Sequence, residues 1–431
     1  MAALSFLVGA AVMYFDLPSA EFLGKGFSGA RAWASREPNS SRGSERDAPS
    51  IRVGNIDQPG KTFDGFTLCT CASQSISGTQ AFLIDMRGKT VHRWAVSFSE
   101  VWPKPSHVQG RFSDSMVCFF ACHLYPNGDL LVVFHGAELL ATGFGLAKLD
   151  KDSKVLWKYS ANVHHDVDVG EDGTIYALKH DLVHQMPKGL EDIPTPTLVD
   201  SLVLLSPEGK ELRKPIPLLE SIRDSAYAPL LSAIQRPPKQ RAPQSLKASR
   251  FDDDETRKQD VLHANFVQVL RPSLAAKFPA FKAGQVLVSL RHLDAIAVMD
   301  PDTGSLVWAA RGPWRAQHDP QFLDNGHLLI FDNLGSPQSS RVLEYDPQTQ
   351  AYPWSYPREN DPPFFSDERG MCQRLPNGNT LIVNSEGAQL LEVTANKEIV
   401  WSCSTNRFIC SARRFGPDQL HFLKGGVRAR P

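Results

Sequence analysis

A short unit recurs along this chain, in which a turn of Asn-Gly or Asp-Gly type introduces a run of aliphatic and β-branched residues. It reads PNGDLLVVF at 126–134, EDGTIYALK at 171–179, DNGHLLIFD at 324–332 and PNGNTLIVN at 376–384, with a looser copy, AGQVLVSLR, at 283–291. A second hairpin follows after a few residues and often ends in Trp: GLAKLDKDSKVLWKY (145–159), AIAVMDPDTGSLVWAA (295–310), SRVLEYDPQTQAYPW (340–354) and AQLLEVTANKEIVW (388–401). QAFLIDMRGKTVHRW (80–94) and the Trp-less SLVLLSPEGKEL (201–212) bring these to six. Asn-Gly and Asp-Gly supply the positive φ that tight hairpins need, and the runs between them have strand composition. The spacing, 45–65 residues apart from one stretched gap, suits four-stranded antiparallel sheets repeated radially. A β-sandwich would not explain the recurring Asp and Trp positions. The pattern predicts an all-β chain, a six-bladed β-propeller over residues 51–431, with seven blades the neighbouring count. A Pro-rich stretch at about 213–260 lacks the pattern and reads as an insertion over one face.

Residues 1–50 carry no such repeat and read as an N-terminal hydrophobic leader or anchor followed by a polar linker. Residues 2–15 (AALSFLVGAAVMYF) are uncharged, short for a membrane span and of the right length for a signal-peptide core. No basic residue precedes them, and an amphipathic or buried leader helix is the alternative. The expectation is an exported or membrane-anchored protein, with the propeller outside the cytoplasm in a periplasm or lumen. The balance of 46 basic and 47 acidic residues argues against broad electrostatic binding of nucleic acid or of an anionic membrane surface. An anionic ligand therefore has to be met by a local site. Seven cysteines cannot all pair, and Cys69–Cys71 and Cys118–Cys122 lack zinc-ribbon spacing. Cys403 and Cys410 could close a small loop if the chain is exported; buried free thiols are the other reading.

Two of the 13 histidines share one register. His165 in HDVDVGEDG and His318 in HDPQFLDNG each stand eight residues before a turn glycine, Gly173 and Gly326. His263 opens the matching strand beside the insertion, whereas His123 breaks the register. Innermost strands of a propeller run parallel around the channel, so residues at their common start converge at one mouth. Asn265 lies two residues after His263 and on a regular strand shares its face. Arg291 and His292 finish a second strand on opposite faces, and Asp166 and Asp319 are expected to point away from the channel. An arginine fork, an amide and several imidazoles form an anion-binding set. Channel histidines that only bond water and backbone carbonyls are the plainer alternative. Three histidines could hold a metal, but an arginine is a poor neighbour for a cation, so the reading is transfer of an anionic group with no metal and no cofactor.

The segments VHHDVDVGEDGTIY (163–176), LHANFVQVL (262–270), VSLRHLDAIAVMD (288–300), QHDPQFLDNGHLLIFDN (317–333), SRVLEYD (340–346) and SARRFGPD (411–418) resemble the bacterial-type arylsulfotransferases, propeller enzymes that work without a nucleotide sulfate donor. The likeness runs from about residue 60 to 420 with segment order preserved. The chain is shorter than the enterobacterial members and looks closer to a divergent arylsulfotransferase-like branch. The resemblance implies that an aryl sulfate passes its sulfuryl group to a histidine and then to a phenol. It implies His318 as that nucleophile and Arg291 as the ligand of the sulfuryl oxygens. His263, His165 and Asn265 would assist binding and proton transfer, with His164 and His292 beside the substrate. The doublet His164-His165 leaves the assignment open by one residue, and the register favours His165. A non-catalytic propeller binding a small anion or a protein at its mouth is the competing reading. A quinoprotein-like dehydrogenase would need a calcium site and cofactor contacts that the chain does not offer.

Overall fold

The structure, a computed structural model, describes residues 51–72, 79–108, 110, 112–136, 141–234, 259–336 and 339–423. The leader and linker lie outside the described residues, as does 235–258 of the insertion. Among the described residues no helix is long and apolar enough to cross a membrane.

The unit Pro49–Pro431 is a six-bladed β-propeller, as the repeat predicts. Blade 1 joins Phe66–Ala72, Gln80–Ile84 and Thr90–Ala95 to an innermost strand from the other end of the chain, Phe408–Phe415. The innermost strands of blades 2 to 6 are Val117–Leu124, Val163–Val169, Ala264–Val269, His318–Phe322 and Met371–Arg374. Each contacts the next around the ring. Blade 6 gains a fifth, outer strand, Ile51–Asp57, antiparallel to Ile399–Thr405. One element refines the sequence boundary. Ile216–Pro217 pairs with Ser201–Leu202 as the fourth strand of blade 3, so that blade extends past residue 213. The short helix Leu218–Arg223 follows, and its Leu218, Leu219 and Ile222 are buried between blades 3 and 4.

The core is not central but lies in apolar layers between neighbouring blades. One layer joins Leu68, Trp94 and Phe119 of blades 1 and 2; another joins Leu178, Leu202, Val288 and Ala297 of blades 3 and 4. The recurring tryptophans tie these layers together. The indole N–H of Trp94 donates to the Gly128 carbonyl (3.0 Å), and that of Trp157 to the Pro207 carbonyl (3.0 Å). Trp354 donates to Ala395 (2.9 Å) and Trp401 to Met86 (3.1 Å). In each case the fourth strand of one blade holds the turn of the next, and at Trp94 and Trp401 the bond satisfies a buried N–H while the ring covers apolar surface. Gly209 shows how close this is: its φ is +77°, and a Cβ there would lie 2.5 Å from the Trp157 ring.

All seven cysteines are free thiols. The proposed loop between Cys403 and Cys410 does not form, because Cys410 lies on the innermost strand of blade 1 with its sulfur 4.0 Å from that of Cys118 in blade 2.

Candidate functional site at the channel mouth

The start of an innermost strand is where this fold departs from regular β geometry, and there the histidines sit. In blade 3 the register jumps from His164 opposite Leu178 to Val167 opposite Ala177, which makes His165 and Asp166 a bulge. In blade 5 it jumps from His318 opposite Phe331 to Gln321 opposite Leu329. Blade 4 bulges at Asn265. His165, His263 and Asp319 take φ of 57°, 48° and 51°, left-handed values uncommon outside glycine. Such bulges re-aim side chains. They explain why face alternation failed at Asp319 and at Asp166, both expected to point away from the channel and both set beside Arg413. Asp319, expected to point outward, is 3% exposed and bonded to Arg413 of blade 1 across the ring. Arg291 and His292 do not end a strand but form a single 3-10 turn, Arg291–Leu293.

That turn is tied to the histidine segment, since the N–H of Arg291 donates to the His263 carbonyl (3.3 Å) and that of His292 to Leu262 (3.1 Å). The rings of His165 and His263 lie 4.6 Å apart, and those of His263 and His292 lie 4.7 Å apart. Asn265 Nδ2 donates to the carbonyl of Gln317 (3.0 Å), the residue before His318, while its Oδ1 is buried without a partner. The predicted set thus converges: His165, His263, Asn265, Arg291 and His318 share one mouth. His164 is placed differently. It is buried, stacked 4.3 Å from His180, with its Nδ1 2.7 Å from the Nδ1 of His165. His292 points its Nδ1 at the Asp260 carbonyl (2.5 Å).

His318 is held with unusual definition. Its Nδ1 meets the Asn333 Oδ1 at 2.8 Å and the Ala316 carbonyl at 3.1 Å. Asn333 Nδ2 donates to the carbonyls of Ser366 (2.7 Å) and Arg369 (3.0 Å), which orients the amide so that oxygen faces the ring. Nδ1 therefore carries the proton, and Nε2, buried and without a partner, carries the lone pair. Burial holds the imidazole well below its ordinary protonation range, and the Arg291 charge reinforces this against the opposing Asn333 bond. His165 is likewise kept neutral by burial and then by the neighbouring His263.

Sequence reasoning missed four residues of this site. Asn333 stands in a strand that looks only structural. Asp260 Oδ2 takes the Nδ1–H of His263 at 2.6 Å and Oδ1 takes its backbone N–H at 3.1 Å, but the residue falls within the stretch assigned to the insertion. Arg369 and Arg413 carry no register signal, because their partners are distant in sequence. Arg369 is 4% exposed, stacks 3.7 Å over the Phe120 ring and bonds the carbonyls of Phe120 (3.1 Å) and Cys410. Arg413 bonds Asp319 and the Cys372 carbonyl. With Asp166 they form a belt of charges across the channel. Burial and the nearby Asp319 push the Asp166 carboxyl up to about 7.

Beyond this belt a chamber of about 330 Å³ opens, lined by His123, Asp166, Gln268, Arg271, Arg374 and Arg413 among others. None of His165, His263, Arg291 and His318 lines it, so volume and chemistry are separated here. Burial lowers His123 to about 4. A histidine depressed in the folded state costs stability as pH falls, because below about 6.5 the unfolded chain takes the proton and the folded one does not. The loss from this ring accumulates from about pH 6.5 to about pH 4 and reaches at most about 3 kcal/mol, less where solvent screens it. His123→Gln is expected to flatten the fall of the thermal midpoint over that window. An unchanged slope would remove His123 as a contributor.

Six blades, with imidazoles, an arginine and an amide gathered at the mouth near the partnerless Nε2 of His318, define a β-propeller with a polar channel mouth. The arylsulfotransferase (ASST) family model matches residues 122–407, well over half of the chain, and the chain belongs to that family. Membership makes it a sulfotransferase-type protein in general terms, with aryl sulfates and phenols as the general substrate class. No curated protein matches the chain by sequence. Among solved structures, a protein of unknown function from Bacteroides caccae is 11% identical with a TM-score of 0.49, covering 81% of this chain and 99% of that one. A streptogramin B lyase is 12% identical with a TM-score of 0.40, over 83% of this chain and 88% of that one. Virginiamycin B lyase from Staphylococcus aureus is 10% identical with a TM-score of 0.35, over 66% and 69%. At these values the likenesses bear on nothing further.

Proposed function

We propose that this protein moves a sulfuryl group from an aryl sulfate to a phenol through a covalent sulfo-histidine on Nε2 of His318, without a nucleotide donor. The orphan Nε2 carries the reading: a buried, neutral nitrogen whose lone pair is fixed by a proton held on Nδ1. In the first half-reaction the Nε2 lone pair forms an N–S bond as the S–O bond to the aryl oxygen breaks. Arg291, whose charge is felt at His318, and the neighbouring imidazoles of the mouth stabilise the equatorial oxygens. His263, which enters the reaction with a proton on Nε2 besides the Nδ1–H that Asp260 holds, gives the Nε2 proton to the departing aryl oxide and recovers one there from the incoming phenol in the second half-reaction. The phenol oxygen then forms a bond to sulfur, the S–N bond breaks and His318 returns neutral.

Incubation with 4-nitrophenyl sulfate, with and without a phenol, tests this reading. Nitrophenol release with a transient gain of one SO₃ by intact mass supports it; no release with any aryl sulfate or phenol would favour an anion-binding propeller instead. Arg291→Ala is expected to lower kcat/KM by roughly 10²–10³-fold, the usual effect of removing a transition-state charge donor. A loss confined to KM would reduce Arg291 to a ground-state anchor. Asn333→Ala frees the His318 ring to rotate and to exchange tautomers. A roughly 100-fold fall in kcat with little change in KM is expected, because the residue orients the nucleophile without touching substrate. Wild-type kcat in that variant would show that Asn333 does no orienting.

A further inference from the structure

Blade 3 contains a polar cluster that the reaction above does not use. His164 lies on its innermost strand, His180 on the second (Ile175–Val183) and Asp200 on the third (Thr197–Leu205). Leu178 is opposite His164, and His180 is opposite Asp200, so all three side chains leave one face of the sheet near the same end. They are 1%, 3% and 2% exposed. One potential ligand atom from each lies within 4.8 Å of the others. His164 Nε2 and Asp200 Oδ1 approach to 3.2 Å but are not aligned to bond, and neither has another hydrogen-bond partner. Two buried polar atoms, aimed at one point and left unmatched, call for a third party between them.

We propose that His164, His180 and Asp200 bind one divalent transition-metal ion, with zinc the ion whose preferences they meet. Two imidazoles and a carboxylate are a common zinc donor set, and a water completes the tetrahedron. The surroundings supply the outer contacts such a site uses. Asp200 Oδ2 accepts the N–H of Ala264 at 2.8 Å, which ties the cluster to the blade that carries His263. The single competing contact on His180 is the Gly143 N–H at 3.3 Å from Nε2, a long approach that the bound ring gives up. With Nε2 of His164 on the ion, its Nδ1 carries a proton and donates it to the Nδ1 of His165 at 2.7 Å. His165 then presents an Nε2–H to the mouth. The ion thus fixes the donor face of His165, a role that rests on the sulfuryl-transfer reading; the site itself does not.

The full chain, stripped with EDTA, equilibrated with Zn²⁺ and desalted, is expected to retain a single equivalent of zinc by elemental analysis. Asp200→Asn, shown folded by circular dichroism, should lose it on desalting, while His263→Gln keeps it. Independently of any variant, Zn²⁺ but not Mg²⁺ should raise the thermal midpoint of the stripped wild type, and Co²⁺ should give tetrahedral visible bands. Nitrogen-15 spectra should show His165 as the Nε2–H tautomer with zinc and a mixture without it. No retained zinc together with a midpoint indifferent to Zn²⁺ overturns the site, as does full zinc in folded Asp200→Asn. Loss in His263→Gln alone would move the ion to Asp260, His263 and His292 and equally refute it. Metal content is read without substrate, so an inactive protein that holds zinc would refute only the transfer chemistry.

Discussion

His318→Ala is expected to lower turnover of an aryl sulfate by roughly 10⁴-fold or more and to abolish the transient SO₃ adduct. The size follows from its position rather than from its being a histidine. Nε2 is buried with a lone pair that no protein group engages, and Nδ1 is locked by Asn333. His165 lacks that lock, because its Nδ1 faces the Nδ1 of His164, where either ring can hold the proton. His263 is no substitute, because its place in an Asp260 pair suits it to carry protons. Folding should weaken by about 1–3 kcal/mol without being lost. The substitution opens a cavity and leaves Asn333 Oδ1 without its donor, and it also removes a buried nitrogen that has no partner. Single-turnover mass spectrometry and a thermal melt separate the two effects. A variant that still gains SO₃ would place the nucleophile elsewhere, and a variant that unfolds would make the activity loss uninterpretable.

The propeller could be read from the sequence because its signals are local. A turn such as Asn127-Gly128 and a Trp such as Trp94 each report on a few residues, and six copies reinforce one another. The convergence of His165, His263, Arg291 and His318 was also readable, since a common strand register becomes a common place in a radial fold. The failures are all breaks in that regularity. A bulge at Asp319 turns a carboxylate inward, and alternation along a strand cannot foresee an extra residue in the ladder. Asp260 stands where chain without a repeat returns to the sheet, so nothing local marks it as the partner of His263. Arg369 and Arg413 act on residues 41 to 249 positions away in sequence, a range at which side-chain pairing leaves no pattern.

This belt also bears on how the mouth works. Arg369 spans from blade 6 to the carbonyls of blades 1 and 2, and its charge, with that of Arg291, helps keep His318 neutral. The same two cations that keep His318 unprotonated would, on the proposed reaction, also favour an anionic donor at the mouth. Charge for binding and charge for activation are therefore one arrangement, reached by bringing residues of blades 4 and 6 against a strand of blade 5.

Glu392→Ala is expected to cost about 3–5 kcal/mol, the usual penalty for leaving a buried charge without its partner. Glu392 and Arg414 are fully buried and bonded to each other. Glu392 Oε1 also accepts the Phe63 N–H and the Asn379 Nδ2, each at 2.7 Å. Arg414 adds bonds from Nε to Thr67 Oγ1 (3.1 Å) and from its backbone N–H to Gln373 Oε1 (2.8 Å), and its guanidinium lies 4.3 Å over the Trp401 ring. These partners come from the first described strands, from blade 6 and from the last strand of the chain. The network therefore sits where the ring closes, with strands from both ends of the chain in blade 1. Removing the carboxylate strands the guanidinium charge and the Phe63 N–H together, while Asn379 Nδ2 keeps the Lys61 carbonyl (2.8 Å). A loss of that size is a large part of the 5–15 kcal/mol typical of a folded domain. The urea midpoint should fall sharply, and Arg414→Met in the same chain should recover most of the loss, because an apolar pair costs no desolvation. If Glu392→Ala shifts the midpoint no more than an exposed substitution does, closure of the ring rests on strand pairing alone. If the double variant is no better than the single one, the bonds to Phe63 and Asn379, rather than the charge, carry the effect.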